Sequence, residues 1–158
     1  MPYSLVLAKE QFKFSSSHFT LFSESDAEHL HGHNYSVSVK VGFNDVDKKT
    51  EMTVDFQTVK KSIKAVCEKL DEKILIAQKS PFLKIEKSPH YSNHTEVRFK
   101  KRVYCFPTEE IFFLPLANIT SEGLARYVHG ELRASLPKNL KRLAVAVRET
   151  PGQSAVYF

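Results

Sequence analysis

The chain has 158 residues, 42% hydrophobic and 26% charged, which suits one ordinary globular domain able to bury a sizeable core. Its formal charge of +5 is spread along the chain, and the densest basic run, "RFKKR" at 98–102, is short and flanked by strand-like residues, so no nucleic-acid partner is expected. Two cysteines exclude a disulfide framework, and no apolar run is long enough to span a membrane.

The stretch "LVLAKEQFKFSSSHF" reads as a strand, with Phe12, Phe14, Ser16 and His18 on one face by period-two alternation. "HGHNYSVSVKVGF" at 31–43 is a second strand, with His31, His33, Tyr35, Val37, Val39, Val41 and Phe43 sharing a face. A polar turn and a short strand, "MTVDF", follow. A helix begins at Gln57 and ends near 70–73; Val59, Ile63, Val66 and Leu70 form its apolar stripe. "SPFLKIEKSPHYSNH", punctuated by Pro81 and Pro89, reads as loop. "TEVRFKKRVYCF" reads as a hairpin with its lysine pair at the turn, and "EIFFLPL" as a strand or extended segment. A second helix covers 120–135, with Thr120 as N-cap, Glu122 in the first turn and Leu124, Val128 and Leu132 as its stripe. "RLAVAVRET" and "SAVYF" are closing strands. Cys67 and Cys105 fall in a helical and a strand pattern and are expected to be buried free thiols. The N-terminus has no positive region ahead of its short apolar run, so no signal peptide is read and a reduced, cytoplasmic compartment is inferred. Strands around two helices give an α+β domain: an antiparallel sheet covered by helices on one face, with no boundary within 1–158.

Four of the seven histidines lie between positions 18 and 33. His31 and His33 point the same way, with Cα atoms about 7 Å apart by strand rise. His18 ends the preceding strand and comes alongside them if the two strands pair antiparallel. A lone histidine on an apolar face is usually a packed core residue. Three imidazoles with a fourth position open are the arrangement of catalytic zinc. His29 is in phase but precedes the strand proper. Gly32 fits a close approach of backbone or ligand.

These residues resemble a known family. "FKFSSSHF" followed by "LHGHNYSVSVKV" is similar to the 6-pyruvoyl-tetrahydropterin and 6-carboxy-tetrahydropterin synthases. The likeness continues through "MTVDF", the "LD" ending the first helix, "NITSEGLARY" and "ETPGQSAVY", in family order from about Phe12 to Tyr157. Only the stretch from about 84 to 113 reads as an insertion. The resemblance implies the tunnelling fold, with a four-stranded antiparallel sheet and two helices. It also implies a homo-oligomeric barrel, typically a trimer pair, with active sites at subunit interfaces. It further implies zinc on His18, His31 and His33, and a pterin gripped by Glu149 near Thr120, Ser121 and Glu122. Leu143, Val145, Val147 and Glu149 share a strand face, so the acid ends an apolar row. A carboxylate there can accept two parallel N–H bonds from a pterin edge.

Two positions depart from the family pattern. Its cysteine, four residues before H-G-H, is Ala27 here, while Glu28 resembles the branch in which glutamate takes that role. The Asp-His pair ending the first helix is Asp71–Glu72 here; His90, His94 or His129 could enter from elsewhere, and spacing does not choose among them. A carboxylate can move a proton, given a pKa raised by burial. The implied activity is a zinc-dependent carbon–oxygen or carbon–carbon lyase on 7,8-dihydroneopterin triphosphate; the glutamate branch favours cleavage of the side chain to 6-hydroxymethyl-dihydropterin. Glu28 would be the acid/base, and Asp71 and Glu72 helpers. The rivals are a family member that binds a pterin without turnover, and a structural zinc protein.

Overall fold

The computed structural model describes residues 2–158. Its elements are β1 (Tyr3–Leu7), β2 (Lys13–His18), β3 (His31–Phe43), α1 (Phe56–Leu70), β4 (Lys73–Ala77), β5 (Lys84–Lys87), β6 (His94–Phe99), β7 (Arg102–Pro107), β8 (Ile111–Leu114), α2 (Ser121–Ser135), β9 (Arg142–Thr150) and β10 (Gln153–Tyr157). They cluster into two compact units, one of residues up to 14, 34–71 and 121–158, the other of 15–33 and 72–120.

The first unit is built around β3. It pairs antiparallel with β1 (Leu5 opposite Val41) and with β9 (Val39 opposite Val145), and β10 returns along β9. Gly152 takes a φ of 84° in the β9–β10 turn, a conformation glycine reaches without a Cβ penalty. The expected row on β3 from Tyr35 to Phe43 is almost dry, as are Leu143, Val145 and Val147. α2 packs on β9 and β10, and α1 on α2. Both helical stripes are buried as the apolar spacing predicts. "MTVDF" is not a strand: the Asp55 side chain accepts from the Gln57 N–H at 3.0 Å and caps α1. The first long strand is in fact two, β1 and β2, parted by a turn in which the Phe12 N–H meets the Lys9 carbonyl at 3.0 Å.

In the second unit the sheet is not wholly antiparallel. β4 joins the end of β2 in parallel (Ser16 opposite Lys73), and β8 joins β4 in parallel. A separate antiparallel sheet, in the order β5-β6-β7, occupies most of the inserted region. Its β6–β7 hairpin turns at Lys100 and Lys101, as expected, whereas β5 lies in a segment read as loop. Phe19, Leu21, Ala27, Ile76, Val97, Phe99 and Ile111 form the unit's apolar cluster. Cys67 is buried, but Cys105 is exposed: β7 is an edge strand, and Val103 and Cys105 alternate onto its open face. No helix among the described residues is long and apolar enough to cross a membrane.

Candidate active site

His18 ends β2, and His31 and His33 open β3; the two strands are hydrogen-bonded neighbours. Their imidazole centroids lie 4.7 Å (His18–His31), 5.4 Å (His18–His33) and 4.8 Å (His31–His33) apart. Their ligand atoms lie within 4.8 Å of one another. The His31 ring is oriented by the chain itself. Its Nδ1 is 2.7 Å from the His29 carbonyl, which can only accept, so Nδ1 carries the proton and Nε2 the lone pair. A ligating histidine is normally held this way. The donor set therefore fits a metal ion. His29 takes part through its carbonyl, with its ring exposed. Gly32 is less demanding than its place implied: a Cβ there would meet the Ser16 carbonyl and the Ser17 hydroxyl at 3.5 Å, an ordinary contact.

Residues 20–28 form a narrow loop between His18 and His31. Leu21 and Ala27 bridge, and the Glu28 N–H meets the Thr20 carbonyl at 2.9 Å. The Thr20 N–H in turn donates to Glu28 Oε2 at 2.9 Å, and the same oxygen lies 3.9 Å from His31 Nε2. Burial pushes the Glu28 carboxyl up, but the side-chain and backbone bonds of Thr20, with His31 and His18 nearby, outweigh it and hold the group below its ordinary value. The rise towards neutrality expected from burial is thus reversed.

In the first unit, Glu149 ends β9 and is held at both oxygens. The Tyr35 hydroxyl donates to Oε1 at 3.3 Å and the Ser121 hydroxyl to Oε2 at 3.0 Å. Tyr35 is fully buried and stacks on Phe14, with centroids 4.9 Å apart. Each carboxylate oxygen can accept more than one bond. A concavity of about 650 Å³ in this unit is lined by Lys13, Asn34, Ser36, Arg148 and Glu149.

Asp71 ends α1 as its C-cap, its N–H donating to the Cys67 carbonyl at 2.9 Å. Glu72 follows with φ of 56°, and its N–H donates to the Ser15 carbonyl at 2.8 Å. Both carboxylates are exposed, as is Glu122, while Thr120 is half-buried just ahead of α2. Sequence reasoning missed Thr20, Asn118 and Arg102, and used Tyr35 only as a strand residue. Asn118 Oδ1 accepts from the Leu21 N–H and its Nδ2 donates to the Leu21 carbonyl, at 3.0 and 2.8 Å. Arg102 Nη1 donates to the Ala27 and Glu28 carbonyls, at 3.1 and 2.6 Å. The only signal available was the asparagine just before the second helix.

An α+β fold that gathers three histidines beside a loop carboxylate suits a metal-dependent enzyme. The family profile described as 6-pyruvoyl tetrahydropterin synthase matches residues 7–158, and the chain belongs to that family. It is a lyase acting on a pterin. A 6-carboxy-5,6,7,8-tetrahydropterin synthase of Aquifex aeolicus is 29% identical over 133 residues, 81% of this chain and 73% of that one. The solved 6-pyruvoyl tetrahydropterin synthase of Plasmodium falciparum matches with a TM-score of 0.90 at 26% identity, over 98% of this chain and 96% of that one. A structure of the Plasmodium vivax enzyme, in which a glutamate described as a catalytic residue is replaced by alanine, matches with the same TM-score at 23% identity and the same coverage.

Proposed function

We propose that the protein is a zinc-dependent lyase that cleaves the side chain of 7,8-dihydroneopterin triphosphate to leave 6-hydroxymethyl-dihydropterin. The observation that carries this reading is the Glu28 carboxylate, held on a hydrogen-bonded loop 3.9 Å from His31 Nε2. The glutamate called catalytic in the Plasmodium vivax enzyme is a precedent for a catalytic carboxylate in a 6-pyruvoyl tetrahydropterin synthase. Zinc held by His18, His31 and His33 would supply Lewis acidity towards the side-chain hydroxyls.

Glu28 accepts the proton of a side-chain hydroxyl. The adjoining carbon–carbon bond then breaks, releasing an aldehyde that keeps the triphosphate. The electron pair stays on the carbon attached to the pterin, and Glu28 returns the proton there. Glu149 accepts N–H bonds from the pterin edge, with Tyr35 and Ser121 fixing its orientation. Thr120 and Glu122, on either side of Ser121, are assigned to the pterin by the family pattern alone. The concavity beside Glu149 lies in the usual range for small-molecule sites, roughly 300–1,000 Å³. Asp71 and Glu72, both exposed, are helpers that exchange protons with solvent. We read 1–158 as a single functional domain that assembles as a homo-oligomeric barrel, a trimer pair. Its two free thiols, one exposed, favour a reduced cytoplasmic setting.

The test is product identity. Zinc-loaded protein is incubated with 7,8-dihydroneopterin triphosphate and the pterins are separated by chromatography. Formation of 6-hydroxymethyl-dihydropterin is expected. Glu28→Gln should lose on the order of 10²- to 10⁴-fold in kcat with zinc content retained. Glu149→Gln should raise KM. An unchanged pterin, with an active relative as control, sinks the reading.

A further inference from the structure

In the inserted region, Arg102 reaches the backbone of the loop that carries the candidate base. We infer that Arg102 is a positioning residue for Glu28, acting on the backbone of the loop and not on the carboxylate. This rests on the assignment of Glu28 as acid/base.

The geometry starts in the hairpin. β6 and β7 are joined by the two-residue turn Lys100–Lys101, with Phe99 opposite Arg102. Lys100 adopts a φ of 53°, the left-handed conformation that lets so short a turn close. Arg102 is therefore the first residue back into the sheet, and its guanidinium lies 6.0 Å from the centroid of the buried Phe99 ring. From there Nη1 reaches two consecutive carbonyls, those of Ala27 and Glu28. Hydrogen bonds to a charged donor are roughly twice as strong as neutral ones, so this hold is stiff.

The loop it grips needs holding. The outgoing arm is tied by Asn118, which bonds both backbone groups of Leu21. The tip from 22 to 26 is mostly exposed, with Phe22 63% accessible. On the return arm, the side-chain hold on the main chain of 27 and 28 is Arg102. Because its donor is engaged by carbonyls, it fixes where the carboxylate stands without forming an ion pair with it. The carboxylate is left to the Thr20 N–H and to His31.

The experiment compares wild type, Arg102→Ala, Arg102→Lys, Glu28→Gln and the Arg102→Ala/Glu28→Gln double variant, all as zinc-loaded full-length protein. Lys101→Ala, at the adjacent exposed turn, serves as control. Thermal melting and zinc content establish that each variant is folded and loaded. We expect Arg102→Ala to lower kcat about 10- to 100-fold, the range typical of residues supporting a site. KM and zinc content should change little. Low-millimolar methylguanidinium should restore part of kcat, Arg102→Lys should fall between, and the double variant should be no slower than Glu28→Gln alone. An unchanged kcat in Arg102→Ala overturns the inference. So do losses that multiply in the double variant, or an Arg102→Ala defect that methylguanidinium leaves untouched. Should Arg102→Ala not fold, Arg102→Lys and its double with Glu28→Gln decide by the same criterion. If Glu28→Gln is itself fully active, the acid/base assignment fails and takes the inference with it. If Glu28→Gln is dead while Arg102→Ala is not, only the positioning role fails.

Discussion

At Gly32 the backbone separates His31 from His33, yet nothing near it requires glycine. A Cβ would find ordinary contacts at 3.5 Å, so Gly32→Ala should keep both the fold and the zinc content. Strand glycine costs roughly 0.5–1 kcal/mol relative to alanine, so thermal melting should show equal or slightly raised stability. A lost fold would mean that β3 needs freedom that 3.5 Å contacts do not explain. Glu72 is the opposite case: its φ of 56° is unfavourable for a residue with a Cβ, by roughly 1–2 kcal/mol. Glu72→Gly should therefore raise the melting temperature, whereas Glu72→Gln should not; with Glu72 as a helper, both should lower turnover less than Glu28→Gln does. The two thiols separate just as clearly. Burial, then the charges of Asp71 and Glu68, push the Cys67 thiol from 9.0 to about 12, while Cys105 is exposed. A native titration with an aromatic disulfide at pH 8 should count one reactive thiol, and an unfolded one two. A group whose pKa is raised on folding contributes stability below its unfolded value and loses it as pH rises through the folded one. Cys67 thus acts from pH 9.0 to about 12, and Cys67→Ala should flatten the fall of melting temperature that begins above pH 9.

At the scale of elements, the caps and stacks can be tested one at a time. Asp55→Ala removes the bond to the Gln57 N–H and should cost about 1 kcal/mol in urea unfolding, without touching turnover. Phe14→Ala opens a cavity beneath Tyr35 and should cost about 3–5 kcal/mol. It should also raise KM, since Tyr35 helps to hold Glu149. The elements legible in the sequence were those with one wet face: β3, β9 and both helices alternate or stripe because only one side is buried. β4 escaped notice for the same physical reason. A strand with a parallel neighbour on each side is covered on both faces, so Leu75, Ile76 and Ala77 are all buried in succession and leave no period. β5 is four residues with charged ends on an edge, which reads as loop. "MTVDF" misled because its β-formers sit beside an aspartate whose side chain caps the next helix. The histidine trio was legible through strand spacing, and Glu28 and Glu149 through family motifs. Arg102, Asn118 and Tyr35 were not, because they hold their targets across 74, 97 and 114 positions, beyond any local pattern.

For the molecule as a whole, metal removal is the direct probe. Chelation should abolish turnover and lower the melting temperature, because an ion bound by the folded histidines stabilises that state by mass action. Added zinc should restore both. A melting curve indifferent to chelation would mean that His18, His31 and His33 hold no ion in solution. The interleaved segments have a further consequence, for synthesis. The unit of residues 15–33 and 72–120 is complete once position 120 has been made, but the other waits for residues 121–158. Within it, β3 pairs with β9 through positions 112 residues apart. At translation speeds of about 5–20 residues per second, the gap lasts on the order of ten seconds. For that time the nascent chain carries β3 with one edge unpaired, a strand open to aggregation on the ribosome. A full-length chain refolding in a tube has β9 present from the start.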